Sequence, residues 1–412
     1  MFNKRLTLQG KMKFIGILFI LTSTALFGQQ PEWIATGIVD SAISVSGGLN
    51  GIWAATQNNG IQFLNTTTGN VTIYNTDNSP FVTNDFRSVL AVNDKIYAGT
   101  FDKGVYILEN NNWTYLDTIN SPLPGMSISD FCSYDENTMY IATDKGLAKI
   151  ENDTWEIFDS LNSGISANKL TCLYKDANGV LWIGSRYHGV TTLHDNIFTN
   201  YNFDNAGIND NWIRAVSGDV NGYMYIADYF GVNKYDVIND DWIFVYNTFT
   251  APMTSERVNK IGFQENGTIW FATHIGVTSA DIDNNWSQFY SDNSGLPHNT
   301  CDGLFIDADD RVWVACYGGV TVFADKQSLP AFETNLTIYP NPCKNSITIE
   351  SSWFEVYHVF DVMGNLLFST SNFTETFGNR LTELDVTSLP PGVYFISAQN
   401  AETIVSKAFL KL

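Results

Sequence analysis

A short pattern recurs seven times along the chain at an almost constant spacing. Each copy begins with an aromatic residue, continues with small, apolar and then polar residues, and ends with Gly and an apolar residue, as in residues 182–190. The leading aromatic residues are separated by 44, 43, 42, 43, 45 and 43 residues: Trp53, Tyr97, Tyr140, Trp182, Tyr225, Trp270 and Trp313. Such regular spacing predicts an array of structural repeats rather than one central core.

Each repeat is expected to form four short β-strands. In the second repeat, apolar runs are separated by Asn, Asp and Gly, which are typical of tight turns. The strands predicted there are residues 86–92, 95–99, 104–108 and 113–116. Four antiparallel strands in each of seven repeats predict an all-β protein with a seven-bladed β-propeller.

The two ends of the repeat array predict how the ring closes. The seventh repeat has no fourth strand, whereas residues 31–36 precede the first repeat and carry the aromatic residue, Trp33, that is typical of a fourth strand. We expect this early strand to complete the last blade, because an unpaired sheet edge would otherwise remain. The propeller is expected to cover residues 29–328.

A different pattern begins near residue 334. Apolar and polar residues alternate in residues 336–342, 359–365, 389–395 and 407–412, with turn residues between these stretches. The alternation predicts a small immunoglobulin-like β-sandwich over residues 334–412.

Both parts resemble known families. Residues 164–168, 176–185 and 189–190 resemble the two-component regulator propeller repeat, whose members often form the periplasmic sensor of a hybrid kinase and resemble sugar-sensing propellers. The tail resembles the type A sorting domain of the type IX secretion system. The residues that carry the second resemblance, and with it the sorting signal, are Pro340, Asn341, Pro342, Gly364, Gly392, Tyr394, Lys407 and Lys411.

The resemblance of the tail implies export. It suggests a Bacteroidetes-type host, the type IX secretion machinery as a partner, and a secreted or outer-membrane-surface location, with the tail either removed or used as an anchor. Residues 1–28 agree with this, because basic residues precede an apolar run and a small residue, as in a signal peptide. That run is short for a membrane span, so we expect no transmembrane segment in the mature chain.

Composition argues against several functions. The net charge of −21 opposes contact with phosphates, so we expect no nucleic-acid partner. No nucleophile elbow, HExxH motif or Gly-rich phosphate loop is found, and we predict neither a cofactor nor a metal. Cys301 and Cys316 fall near opposite positions of one hairpin, so a disulfide between them remains an open alternative.

Residues 176–179, Asp-Ala-Asn-Gly, have counterparts between the first and second strands of later repeats. They resemble the start of a calcium loop, but no Glu follows at the spacing that such a loop needs. We interpret them as a two-residue turn in which Asn178 and Gly179 take positive φ angles.

The turn between the second and third strands does not repeat, except for the Gly that ends it. A recurring Gly indicates a backbone requirement, whereas the varying residues are free to bind a ligand. The candidates are Arg186, Tyr187, His188, Tyr229, Phe230, His274 and Tyr317. Arg87 and Arg214, near the start of first strands, are further candidates, with structural hydrogen bonding as the alternative.

Three functions remain open. In the first, a secreted or surface propeller binds an extracellular glycan or protein through these turns. The second is a secreted carbohydrate-active enzyme, a lyase or glycoside hydrolase, in which Arg186, Tyr187 and His188 form a small catalytic cluster. The third is a structural or adhesive surface protein in which the variable turns are solvated and bind no small ligand.

Overall fold

The computed structural model describes residues 31–48, 51–324, 336–351, 356–371, 374–376, 379–399 and 404–412. These residues form 36 strands, and no helix among them is long and apolar enough to cross a membrane. The strands associate into nine four-stranded antiparallel sheets, which confirms the all-β prediction. The signal peptide predicted over residues 1–28 and the boundary predicted near residues 328–334 lie outside the described residues.

The repeats contain 28 of the strands. The first seventeen are β1 (Glu32–Ala35), β2 (Ala42–Gly48), β3 (Gly51–Thr56), β4 (Ile61–Asn65), β5 (Val71–Tyr74), β6 (Phe86–Val92), β7 (Lys95–Thr100), β8 (Val105–Glu109), β9 (Asn112–Leu116), β10 (Ile128–Ser133), β11 (Thr138–Thr143), β12 (Gly146–Glu151), β13 (Thr154–Phe158), β14 (Leu170–Lys175), β15 (Leu181–Ser185), β16 (Val190–His194) and β17 (Ile197–Tyr201). The other eleven are β18 (Ala215–Gly218), β19 (Tyr223–Asp228), β20 (Gly231–Asp236), β21 (Asp241–Tyr246), β22 (Val258–Phe263), β23 (Ile269–Thr273), β24 (Gly276–Ala280), β25 (Trp286–Phe289), β26 (Cys301–Ile306), β27 (Val312–Cys316) and β28 (Gly319–Ala324).

Seven sheets form the blades of a propeller. Six of them contain four consecutive strands each, beginning at β2, β6, β10, β14, β18 and β22. Neighbouring blades share their cores, as Trp53 of β3 does with Ile96 and Ala98 of β7. The first and last blades also pack together, through Val45 of β2 and Trp313 of β27. The seven-bladed fold that the repeat predicts is therefore confirmed.

The seventh sheet joins the two ends of the repeat region. Its strand order is β1-β28-β27-β26, and Trp33 of β1 lies opposite Phe323 of β28. Trp33 is only 8% exposed and lies 5.3–6.0 Å, between ring centroids, from Trp270, Phe289 and Phe323. The outer edge of β28 is therefore paired rather than open.

A recurring hydrogen bond links the first turn of a blade to its buried aromatic residue. Asp176 Oδ2 accepts from the indole Nε1 of Trp182 at 3.0 Å, and Asp307 accepts from Trp313 at 2.7 Å. Gln264 plays the same role for Trp270, at 2.7 Å. The acceptor satisfies an N–H group that packing between blades removes from water.

The carboxylate of Asp176 also holds the turn that follows it. The prediction of a two-residue Asn-Gly turn at this position is wrong. Asp176 N donates to Val180 O, so the loop contains three residues, and of these only Gly179 has a positive φ, of 78°. Asp176 Oδ1 also accepts from the amides of Asn178 and Val180, both at 2.9 Å. A side-chain acceptor at the first position favours a type I turn that ends in a left-handed Gly.

We predict that Asp176→Ala lowers the free energy of unfolding by about 2–3 kcal/mol, because three hydrogen bonds are lost and the indole N–H of Trp182 stays buried without its acceptor. Urea denaturation followed by tryptophan fluorescence measures the loss. Asp204→Ala, in an exposed loop of the same repeat, is the matched control and is expected to change stability by less than about 0.5 kcal/mol. Equal effects of the two substitutions would contradict this role.

Residues 336–412 form a second body of strands. They are β29 (Leu336–Tyr339), β30 (Ser346–Ser351), β31 (Val356–Phe360), β32 (Leu366–Thr370), β33 (Thr374–Thr376), β34 (Asn379–Asp385), β35 (Gly392–Gln399) and β36 (Ile404–Lys411). The two sheets have the orders β29-β30-β34-β33 and β32-β31-β35-β36. Side chains of both sheets share one core, among them Ile349 of β30 and Ile396 of β35, which confirms the predicted β-sandwich.

Cys301 and Cys316 lie directly opposite each other in the β26–β27 hairpin. Their Sγ atoms are 2.9 Å apart, both side chains are fully buried, and both are free thiols in this structure.

We predict that these thiols form a disulfide in the exported protein, because disulfides form and persist in oxidising compartments. Alkylation in denaturant without reductant is then expected to label three of the 5 cysteines, and all 5 after reduction. Labelling of all five without reductant would show that the pair stays reduced.

Candidate ligand-binding site at the mouth of the channel

Buried hydroxyl groups shape the turn between the second and third strands. Ser185 Oγ donates to Gly189 O at 2.9 Å and accepts from His188 N at 3.0 Å. The corresponding hydroxyls of Thr56, Thr100, Thr143 and Thr273 donate in the same way at 2.8–2.9 Å. The glycine that ends the turn has a positive φ in every blade: Gly60, Gly104, Gly146, Gly189, Gly231, Gly276 and Gly319. These recurring residues fix the backbone, so the side chains between them are free to vary.

The glycine is needed for steric reasons as well. A Cβ atom on Gly189 would lie 2.1 Å from the carbonyl oxygen of Tyr201. The recurring Gly therefore meets the backbone requirement that the sequence indicates.

In six of the seven blades, this turn lies against the loop that enters the same blade. The amide of Arg186 donates to Lys169 O at 3.1 Å, and the amide of His274 donates to Arg257 O at 3.0 Å. In the same way, a turn amide donates to a backbone carbonyl oxygen in the pairs Gln57–Ser41, Phe101–Asp85, Asp144–Ser127 and Tyr317–Thr300. Turns and entering loops therefore share one face of the propeller. We call the residues that these bonds join, together with Trp212 and Tyr229 in the fifth blade, the rim.

The first strands of the blades surround an axial channel. A cavity of about 270 Å³ is lined by Ile43, Ser44, Arg87, Ser88, Ser129, Asp130, Thr171, Arg214, Asn259, Lys260 and Asp302. A second cavity, of about 340 Å³, is lined by Ser127, Ser129, Asp144, Lys169, Leu170, Thr171, Arg186, Trp212, Ile213, Arg214 and Asn259. Because the two share four residues and the second contains rim residues, the second is the mouth of the channel.

Aromatic rings form a row at this mouth. Ring centroids are 6.4 Å apart between Tyr187 and Trp212, 5.9 Å between Trp212 and Tyr229, and 5.5 Å between Tyr229 and Phe230. Tyr187 is 57% exposed, Tyr229 40% and Phe230 49%. Apolar rings that remain this exposed side by side are available to a partner molecule.

Arginine side chains pack on the same rings. The guanidinium carbon of Arg186 lies 4.7 Å from the ring centroid of Trp212, and that of Arg214 lies 5.6 Å from it. Arg257 lies 5.8 Å from the ring centroid of Tyr229. Trp212 is therefore the centre of a cluster of two cations and two tyrosine rings.

Arg87 and Arg214 line the channel and also make structural contacts, as the alternative interpretation expects. Arg87 forms an ion pair with Asp85 at 2.8 Å. Arg214 donates to the side-chain oxygen of Asn259 from Nε and Nη2, at 3.2 and 2.7 Å. Asn259 in turn donates to Asp302 at 2.8 Å.

The channel shifts several pKa values. Burial raises the pKa of Asp302, although the nearby arginines Arg214, Arg87 and Arg257 oppose the increase. Burial and then the charge of Arg257 lower the pKa of Arg214. Desolvation and then the charges of Arg257 and Arg214 lower the pKa of His274, which favours its neutral imidazole.

The structure brings some of the predicted residues together and separates others. Arg186, Tyr187, Arg214, Tyr229 and Phe230 lie in one cluster around Trp212. The other predicted residues lie elsewhere on the rim or in the channel: His188 is exposed beside Tyr187, His274 adjoins Arg257, Tyr317 stacks on His298 at 5.8 Å, and Arg87 packs on Phe101 at 4.8 Å.

Sequence reasoning missed Trp212, Lys169 and Arg257. Lys169 and Arg257 immediately precede the first strand of their blade, and two residues separate Trp212 from β18. The other repeats have Ser41, Asp85, Ser127 and Thr300 at this position. This position varies from repeat to repeat as much as the turn does. The same test of non-repetition would therefore have identified it.

The predicted sorting residues hold the last described strand of the tail. Asn341 Nδ2 donates to Ala408 O at 3.2 Å, and its Oδ1 accepts from Leu410 N at 2.9 Å. Pro340 and Pro342 flank it, each after a cis peptide bond. The segment therefore fastens β36 to the chain that follows β29.

The other sorting residues have local roles. Gly364 has a φ of 82° in the turn between β31 and β32, and Gly392 begins β35. Tyr394 is buried, donates to Pro390 O at 2.8 Å and stacks on Phe409. Lys407 and Lys411 donate to the carbonyl oxygens of Leu336 and Leu412.

Comparison with known families agrees with this geometry. Residues 337–411 match the model of the secretion system C-terminal sorting domain, and residues 164–187 match the two component regulator propeller. These matches confirm both resemblances, and the sorting domain indicates that the chain is secreted or lies on the outer-membrane surface. Comparison with curated proteins finds no match.

Several solved structures share the fold. The extracellular domain of BT3049 from B. thetaiotaomicron, described as a hybrid two component system, has 16% identity and a TM-score of 0.59, with 92% of this chain and 55% of that one covered. PorZ, a surface component of the type-IX secretion system of Porphyromonas gingivalis, has 17% identity and a TM-score of 0.57, covering 90% and 59%. This chain therefore spans less than two thirds of both.

A third structure is an enzyme. It is a catalytically inactive variant of virginiamycin B lyase from Staphylococcus aureus with quinupristin, at 10% identity and a TM-score of 0.56, with 72% and 98% of the two chains covered. Identities this low establish the fold alone.

We predict that Asn341→Ala loosens β36, because two hydrogen bonds to its backbone are lost, and lowers the stability of the tail by about 1–2 kcal/mol. Less protein should then reach the cell surface or medium, as measured by immunoblotting of cell and medium fractions. Asn345→Ala is the matched control, since its side chain makes no hydrogen bond among the described residues. Unchanged export of the Asn341 variant would show that this contact is dispensable.

Proposed function

We propose that this exported surface propeller is a binding module that holds an extracellular glycan at the mouth of its channel. The observation that supports the proposal is the convergence of non-repeating residues on a single cavity of about 340 Å³. A purely structural role would require the same residues in every blade, whereas the rim residues that line this cavity differ from one blade to the next. Binding residues are commonly carried on loops above a rigid framework.

The row of rings favours a glycan over a folded protein surface. Tyr187 and Tyr229 are 57% and 40% exposed and lie on either side of Trp212, at centroid distances of 6.4 and 5.9 Å. Aromatic faces bury the apolar side of a sugar ring while the sugar hydroxyls remain available to polar neighbours. A protein segment is the other ligand class that fits such a surface, and binding to protein without binding to glycans would favour it.

The two remaining functions predict different behaviour. A lyase or glycoside hydrolase would release product from a bound polysaccharide. The function of a structural or adhesive protein would not change when residues at the mouth are substituted. Both outcomes are measurable on the protein that tests the binding proposal.

We predict that Tyr187→Ala with Tyr229→Ala weakens glycan binding by at least about tenfold, because each lost ring contact contributes about 1 kcal/mol. A glycan array followed by isothermal titration calorimetry on the full chain measures the effect. Phe249→Ala is the matched control, since Phe249 is 90% exposed and makes no ring contact among the described residues. The fold of each variant is checked by circular dichroism.

If the folded double variant binds the glycan with unchanged affinity, the mouth is not the binding site. New reducing ends or unsaturated products after incubation with a bound polysaccharide would favour the enzyme instead.

A further inference from the structure

Positive charge is concentrated at the mouth of an acidic protein. The whole chain has a net charge of −21. Residues 31–324 contain five arginines, and four of them line the channel or belong to the rim: Arg87, Arg186, Arg214 and Arg257. The fifth, Arg311, pairs with Asp307 and Asp309 at 2.7 and 2.8 Å.

Carboxylates neutralise some of these cations, whereas others have no ion-pair partner among the described residues. Arg87 pairs with Asp85 at 2.8 Å, and Lys260 pairs with Asp130 across the channel at 3.2 Å. In the described part of the chain, by contrast, no carboxylate lies within ion-pair distance of Arg186, Arg214 or Arg257.

The mouth cavity itself carries an excess of cations. Lys169, Arg186 and Arg214 line it, against one carboxylate, that of Asp144. Asp144 Oδ1 accepts from Ser127 N at 3.2 Å, so part of its hydrogen-bonding capacity is already used by the backbone. Asp302, which Asn259 links to Arg214, offsets part of the charge of Arg214. The remaining charges of one sign in a partly enclosed site repel each other, and an anion that enters the site removes that cost.

Stacking leaves the guanidinium groups ready to bind. Arg186 and Arg214 both lie over Trp212, at 4.7 and 5.6 Å from its ring centroid. Such a contact uses the face of the guanidinium and leaves its N–H edge free for a carboxylate. Arg214 already gives Nε and Nη2 to Asn259, whereas Arg186 Nε is buried without a hydrogen-bond partner among the described residues.

We infer that the mouth selects an acidic glycan, with a sugar carboxylate of the uronic-acid type held by Arg186 and Arg214 while the adjoining rings pack against Tyr187, Trp212 and Tyr229. The inference rests on the proposed function, because it names the class of glycan that the same site takes. Arg186 is the principal contact, since its N–H groups have no competing acceptor in the part of the chain that the structure describes. Lys169 adds a third, less directional charge.

The test uses the folded full chain on an array that displays neutral, uronate-containing and sulfated oligosaccharides, with calorimetry on the strongest ligand. We expect uronate-containing glycans to bind, and Arg186→Gln to weaken them by about tenfold to a hundredfold, because a charge-assisted bidentate contact is lost. Raising the ionic strength from about 0.05 M to about 0.5 M should also weaken binding. Lys95→Gln removes the same charge from a lysine that is paired with Glu109, and should leave affinity unchanged.

The outcomes separate this inference from the function on which it rests. The protein could instead bind neutral glycans, with binding lost in the tyrosine double variant but kept in Arg186→Gln. That result would contradict the acidic ligand and would still support the glycan-binding proposal. A preference for sulfated over uronate glycans overturns the carboxylate. If no glycan of any class binds, both fail.

Discussion

The indole of Trp182 lies between two sheets, and its N–H donates to Asp176 at 3.0 Å. A blade cannot bury its own faces, so each needs a large apolar residue against its neighbour, and an indole brings a polar group into that dry interface. The turn at the start of the second strand supplies the acceptor and is itself shaped by it. Blade packing and turn geometry are thus one interaction, repeated with Asp307, whereas Gln264 supplies only the acceptor for its indole.

The period of the repeat was enough to predict the architecture, because strand order within a blade is local. β7 begins at Lys95, as predicted, and ends one residue later than predicted. The turn after Asp176 was misassigned because Asn-Gly favours two left-handed residues, whereas the Asp carboxylate stabilises a longer loop. Of the site, the turn residues and Arg214 could be predicted from their failure to repeat, but not which of them come together. Trp212 meets Tyr187 across 25 residues of sequence, and Arg214 meets Asn259 across 45. Side-chain contacts between blades depend on how the blades stack in three dimensions, and the spacing of the repeats in the sequence does not predict them.

Recurring and varying residues have separate tasks at the rim. Ser185 and Gly189 hold the turn through backbone contacts, so Arg186 and Tyr187 can change without disturbing the sheet. The inferred acidic-ligand site benefits from the same separation, since its cations come from several blades and each blade contributes only one or two. The acidic body of the protein has a further effect: its net negative charge repels an anionic glycan, whereas the arginines at the mouth attract it, which would orient the glycan toward the mouth.

The pairing of β1 with β28 makes the propeller a closed loop whose first and last segments share hydrogen bonds. Thr36 Oγ1 donates to Val320 O at 2.7 Å across 284 residues, and Thr321 Oγ1 donates to Ile34 O at 3.0 Å across 287. Contacts this distant in sequence require a large loss of chain entropy before they form, so ring closure is a late and slow event in folding. A chain emerging from a ribosome or a membrane channel cannot complete the ring until residue 324 is free. Once closed, the ring has no free blade from which unravelling can start, and that gives an extracellular protein resistance to proteases that attack transiently opened ends.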